Sequence, residues 1–236
     1  MQFKKPLIST KLMSKKILFI TGGSGEIGSS IIKEFSDFYV VSPSSKEMNC
    51  ESRESIKRYI SKCNLNKVDV FIHCAAINSP KNYLSISEAS INRSLNINTL
   101  SFLYVIQELS EYFIENQTKI LAISSIYSIF SRNNRLEISL TKHALNSLVK
   151  TLAIELGDKG IIINSLSPGF IETRLTSMNN SDEEISNIIS KTLLKRLGTK
   201  KEISKFAFFL CSDNNTYLTA QNIILDGGLI SNSILI

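Results

Sequence analysis

Two short stretches hold residue types and spacings suited to chemistry. Between an apolar run and a helical period lies TGGSGEIG, residues 21–28. Glycines there let backbone N–H groups approach a pyrophosphate, and the positive end of the helix that follows adds to the attraction. Such a loop is otherwise an ordinary tight turn; its place on the first strand-to-helix junction favours the phosphate reading. Glu26, at its mouth, would repel a pyrophosphate if turned inward, so it is expected to face solvent and favour the helix dipole. The second stretch is ISLTKHALNSLVK, residues 138–150, a helical pattern with Lys142 one turn beyond Ile138. Cys50, Cys63, Cys74 and Cys211 are far apart with no CxxC pair, and His73 and His143 are the only histidines. Neither a metal site nor a disulfide framework is expected.

The elements that must position these residues follow from hydrophobic periodicity. KILFIT is a short strand, IGSSIIKEF a helix with Ile27, Ile31, Ile32 and Phe35 on one face, and FYVVS a second strand. SRESIKRYISKC is an amphipathic helix opened by Ser52, VDVFIHCAA a strand apolar enough to be buried on both faces, and INRSLNINTLSFLYVIQELSEYF one long helix. KILAISS is the next strand. The helix of residues 138–150 carries Leu140, Ala144, Leu145, Leu148, Val149, Leu152 and Leu156 at spacings of three and four and stops at Gly157 and Gly160. IIINSLSPG, a polar helix-forming segment at 181–195, KEISKFAFFLCSD and QNIILDGG complete the alternation. This order predicts an α/β fold, a doubly wound, mostly parallel sheet with helices on both faces. Ligands of such sheets bind at the carboxyl ends of the strands.

A chain of 236 residues with 43% hydrophobic and 20% charged residues fills one core, and no linker divides it. Residues 1–12 are expected to be a tail and 13–236 a single domain. The net charge of +6 is scattered without a basic stripe, which speaks for a solvated surface and against nucleic acid. No apolar run suits a signal peptide or membrane span, so a reduced, cytoplasmic protein is expected.

The motifs, in order, resemble the short-chain dehydrogenase/reductase family from about Lys15 to Gly228. TGGSGEIG is similar to its cofactor loop, HCAA at 73–76 to a strand-end motif, NIN at 96–98 to the segment of its active-site Asn, and ISS at 123–125 to that of its catalytic Ser. SPGFIETRL at 167–175 resembles the turn against the nicotinamide, and LGTKKEISKFAFFLCSDNNTYLTAQNIILDGG the C-terminal end. The spacing of Gly22, Gly25 and Gly28 and the HCAA motif look like the extended subfamily, many of whose members act on nucleotide sugars. The compact length and C-terminal end look like the shorter one, which is followed here for a single-domain Rossmann-type architecture.

The resemblance implies roles. The family places a Tyr four residues before its Lys to exchange the substrate proton; the Lys bonds the nicotinamide ribose and tunes that Tyr, a Ser holds the carbonyl, and an Asn supports a water relay. Ser125, Lys142 and Asn98 stand at the last three positions. The Tyr position falls on Ile138, thirteen residues after Ser125 and four before Lys142. Tyr127 is the nearest phenol, and it either turns to the pocket as acid or packs its ring on the substrate loop. Taken alone, Ser125 reads as a strand-end residue capping nearby backbone and Asn98 as a helix-interior polar group bonding to the sheet edge; the ordered set of motifs favours the site. A general acid contributes about 3 to 5 kcal/mol, whereas orientation supplies about 7 to 11, so hydride transfer is compatible with Ile138. Water or a substrate hydroxyl is a further proton source if Ser125 and Asn98 polarise the carbonyl.

By the same resemblance Thr21, Gly22, Gly25, Ile27, Gly28, Ala75, Lys142, Pro168, Gly169, Ile171 and Thr173 touch the dinucleotide. The second strand ends in Ser42, Ser44, Ser45 and Lys46 with no carboxylate before Glu47, which favours NADP over NAD unless this is a plain Ser-Pro turn. Asn49 lies where the family often has an adenine contact. The expected activity is NAD(P)-dependent oxidation or reduction of a small-molecule carbonyl or alcohol by an altered proton route, in a homodimer or homotetramer. The segment 172–198 is the expected lid. A non-catalytic dinucleotide-binding relative, acting as regulator or partner subunit, is the alternative; a nucleic-acid or sugar-nucleotide binding module is a third.

Overall fold

The computed structural model describes residues 15–233, so the expected tail at 1–12 lies outside the described residues. Six parallel strands form one sheet in the order β2-β1-β3-β4-β5-β6. They are β1 (Ile17–Thr21), β2 (Tyr39–Val41), β3 (Val70–His73), β4 (Lys119–Ile123), β5 (Ile162–Pro168) and β6 (Asn222–Leu225). The chain moves outward from β1 to β2 and then returns past β1 to β3. That reversal leaves a crevice beyond the carboxyl ends of β1 and β3, where open α/β sheets bind ligands.

Side chains alternate across each strand and so feed two cores. Phe19, Phe71, Ile120 and Ile163 pack beneath α2 (Arg53–Lys62), α4 (Ser101–Leu109) and α5 (Leu136–Glu155), with Ile56, Val105, Leu145 and Val149 supplied by the helices. Leu18, Ile20, Val70, Ile72 and Leu121 pack on the other side under α1 (Glu26–Glu34) and α8 (Lys200–Cys211), which contribute Ile31, Phe35, Ile203 and Ala207. Helices on both faces explain why the inner strands are apolar without interruption.

The helix predicted as one piece over 91–113 is interrupted. It runs as α3 (Glu88–Leu95), a π-helical turn at Asn96–Leu100, α4, and a short 3₁₀ turn. The wide turn brings Asn98 and Thr99 inward together, and Thr99 Oγ1 donates to Thr141 O at 2.8 Å. Such turns insert a residue into the helical ladder and re-aim side chains, which apolar periodicity does not reveal.

Helix α5 begins two residues before Ile138. Its far half buries Leu145, Val149 and Leu152, as its spacing predicts, but its first turns bury Glu137, Ser139, Thr141 and Lys142. Polar burial concentrated at one end marks the site. Beyond β5, the expected lid contains α6 (Arg174–Met178) and α7 (Asp182–Lys191), the latter started by a capping box between Ser181 and Glu184. Helix α9 (Leu229–Ser233) follows β6.

Candidate active site

A cleft of about 330 Å³ opens at the carboxyl ends of β1, β3, β4 and β5. One side is the glycine loop. Gly22 has φ +69°, and a Cβ there would lie 2.5 Å from Ala75 N; a Cβ on Gly28 would lie 2.2 Å from Gly22 O. Neither position admits a side chain, because backbone cannot withdraw. Gly25 caps α1 without a side-chain bond, so the first-turn N–H groups remain directed at the cleft, which Gly22, Gly25, Ile27 and Gly28 line. Pro168, Gly169, Ile171 and Thr173 line it from the opposite side. Among the described residues, no group of three or more His, Cys, Asp or Glu side chains is placed to hold a metal ion.

Two expected cofactor residues act behind this wall rather than in it. Thr21 is buried, with Oγ1 hydrogen-bonded to His73 Nδ1 at 2.9 Å and accepting from Ala75 N at 3.3 Å. Ala75 packs its backbone on Gly22, and its neighbours Cys74 and Ala76 line the cleft instead. Burial, and then the charge of Lys142, depresses His73 to about 3, so this imidazole is neutral; burial raises the Cys74 thiol to about 11. Neither supplies a charge at neutral pH.

Lys142 is 3% exposed, and its Nζ donates to Ile123 O at 2.7 Å. Burial lowers it to about 8. Ser125 begins the turn after β4; its Oγ accepts from Tyr127 N at 3.2 Å, leaving its own proton to donate. Beside it Ser124 Oγ is buried without a hydrogen-bond partner, and both serines line the cleft. A glycine cradle that no Cβ fits and an orphan hydroxyl opposite it are what a bound dinucleotide would complete.

Tyr127 packs its ring as one expectation has it, and it also lines the cleft. Its ring packs against Phe130 and Phe170 with centroids at 5.4 and 6.2 Å, while its hydroxyl accepts from Arg132 Nε at 2.8 Å and the residue lines the cleft. Ile138 is 6% exposed and is not among the lining residues. Asn98 is not either. Its Nδ2 donates to Ile77 O at 2.9 Å and Thr141 Oγ1 at 3.1 Å, and its Oδ1 accepts from Ile77 N at 2.8 Å. The side chain therefore clamps the loop after β3 instead of polarising a carbonyl.

The loop after β2 departs from expectation. Ser42 Oγ sits where a Cβ on Gly23 would fall, at 2.1 Å from it. Glu47 folds back so that its carboxylate accepts from both the N and Oγ of Ser44 at 2.8 Å, bonds that hold it below the usual carboxylate range. A carboxylate thus stands at Ser44 despite lying outside the strand end. Asn49 Oδ1 accepts from Glu51 N at 3.0 Å, a local turn bond that leaves its amide nitrogen to reach outward. Glu26 does not simply face solvent: it accepts from Arg174 N at 2.6 Å and Lys200 Nζ at 2.7 Å, tying the loop mouth to the expected lid through Arg174 and to α8 through Lys200. Sequence reasoning missed Ser124 and Arg135 as lining residues. Arg135 precedes the first turn of α5 with non-helical backbone, so helical spacing from Lys142 did not point to it.

Comparison with known proteins agrees with this geometry. A family model described as enoyl-(acyl carrier protein) reductase matches residues 37–230. The chain is 31% identical to a 3-oxoacyl-(acyl carrier protein) reductase of Buchnera aphidicola subsp. Baizongia pistaciae, over 92% of this chain and 98% of that protein. Among solved structures, 4-hydroxyisoleucine dehydrogenase complexed with NADH superposes with TM-score 0.85 at 25% identity, covering 92% of this chain and 99% of that one. ElxO with NADP bound gives 0.83 at 25% identity with the same coverage.

Proposed function

This chain belongs to the short-chain dehydrogenase/reductase family, and we propose that it is an NAD(P)-dependent oxidoreductase whose proton route runs through Tyr127 in place of a phenol at position 138. The observation that supports this most is that the glycine loop, Ser125, Tyr127, Lys142 and the Pro168–Thr173 turn line one cleft. When bound, the dinucleotide supplies a hydride to a carbonyl carbon, or takes one from an alcohol. Ser125 donates its free O–H to the carbonyl oxygen. Lys142 and Ser124 offer an ammonium and a hydroxyl to the cofactor from the sheet side. Tyr127 gives its proton to the same oxygen, and the Arg132 guanidinium bonded to the phenol oxygen stabilises the negative charge left behind.

NADP is the proposed dinucleotide: Ser42 and the exposed Lys46 flank the end of β2, with Glu47 displaced from Ser44 as the 2′-phosphate enters. A cytoplasmic homodimer or homotetramer completes the reading. No described helix is long and apolar enough to cross a membrane, and all four cysteines are free thiols.

Turnover of a carbonyl panel by wild type and Tyr127→Phe tests the proton route. The variant should lose about 10²- to 10⁴-fold in kcat with cofactor affinity retained. An unchanged rate would move the proton to water or the substrate. Turnover by Ile138→Tyr alone would favour the non-catalytic dinucleotide-binding reading.

A further inference from the structure

Positions 138 and 142 share one side of α5, and Arg135 is the residue that precedes its first turn, with non-helical backbone. Arg135 is 5% exposed and lines the same cleft as Ser125 and Tyr127. Its guanidinium donates to Asn134 O at 3.2 Å, Asn179 O at 2.9 Å and Asn180 Oδ1 at 3.4 Å, all of them neutral acceptors. Among the described residues no carboxylate pairs with it.

The acids around it are engaged elsewhere. Glu137 accepts from Ser90 and Ser94, Glu184 pairs with Arg132, and Glu26 is bonded to Arg174 N and Lys200. A buried charge without a counter-charge is costly, and a guanidinium cannot escape by losing its proton. Its planar fork matches the oxygens of a carboxylate or phosphate group. Resting on the oxidoreductase reading of this cleft, we propose that the substrate is an anionic carbonyl or alcohol compound whose carboxylate or phosphate oxygens are bound by Arg135. The anionic end then fixes how the carbonyl meets Ser125, and Arg135 is a specificity-determining residue.

Calorimetric titration of the NADP⁺-loaded protein tests this with 2-oxobutanoate, acetoacetate and levulinate beside their methyl esters, and with dihydroxyacetone phosphate beside dihydroxyacetone. At least one anion should bind on the order of tenfold or more tighter than its neutral counterpart. Preference for the acids identifies a carboxylate, and preference for the phosphate ester a phosphate. Arg135→Met should abolish the preference and Arg135→Lys should retain part of it. Asn180→Asp keeps an acceptor for the guanidinium but supplies a counter-charge, so it should also abolish anion binding; a guanidinium that only ties down the lid would leave binding unchanged. Equal binding of anions and neutral analogues, no binding of either, or a preference that survives Arg135→Met overturns the assignment. NADP⁺ affinity measured on the same samples separates the two claims: its absence in wild type sinks the oxidoreductase reading, whereas intact NADP⁺ binding without anion preference sinks only the role of Arg135.

Discussion

Lys142 is a cation in a dry wall, bonded to Ile123 O and depressed to about 8 by burial. Because its folded value lies below the 10.5 of a free lysine, the unfolded chain holds a proton through the window from about 8 to 10.5 that the folded chain has released. Charging it in the fold therefore costs stability at pH below about 8, and that cost is relieved as pH rises through the window. Lys142→Met should stabilise the ligand-free protein near neutrality by on the order of 1 to 3 kcal/mol, with the gain shrinking toward high pH, while weakening dinucleotide binding. Thermal melts of both proteins across pH, with and without NADPH, check this; a variant less stable at pH 7 and equally tight for NADPH would contradict it. The register of Ile138 and Lys142 was legible in sequence because one helix holds both, and that of Ser125 because its interval to position 138 is the one the resembled family shows. The direction of Tyr127 was not, since its hydroxyl is placed by Arg132, five residues on along an irregular loop.

At the scale of elements, the loop from β2 to α2 is the proposed reader of the adenosine ribose. Glu47 reaches back to Ser44 through two hydrogen bonds, a return that depends on the turn geometry rather than on strand position. On that proposal a 2′-phosphate would meet the Glu47 carboxylate, and like charges at hydrogen-bond range repel. Glu47→Gln should raise the affinity for NADPH relative to NADH by roughly three- to tenfold, measured by fluorescence titration of both cofactors; an unchanged ratio would place the adenosine ribose elsewhere. The π-helical turn at Asn96–Leu100 is a second feature hidden from periodicity. Periodicity alone makes Asn98 and Thr99 ordinary helix residues, whereas the bonds of Asn98 to Ile77 and Thr141 explain why an amide is buried there.

For the whole molecule, strand and helix alternation was enough to predict the layered parallel sheet, because each apolar run needs two covered faces and each helix supplies one. What remained out of reach was the set of side chains that long-range packing brings to the cleft, Ser124 and Arg135 above all. Exposed apolar groups on α5 and β6, namely Leu136, Leu140, Ile154 and Ile224, suit burial between copies of the chain. Light scattering should give a dimer or tetramer of the 26.4 kDa chain, and Leu140→Lys with Ile154→Lys should release monomers; a monomeric wild type would refute this surface. The central claim, that the cleft beside Gly22 and Gly28 takes a nicotinamide dinucleotide, is tested most directly by titrating NADPH and NADH into the wild type and Gly28→Ala. Saturable wild-type binding below about 1 mM, weakened about tenfold or more in a variant that still melts cooperatively, is the predicted result; no binding by the wild type, or equal binding by both proteins, would contradict it.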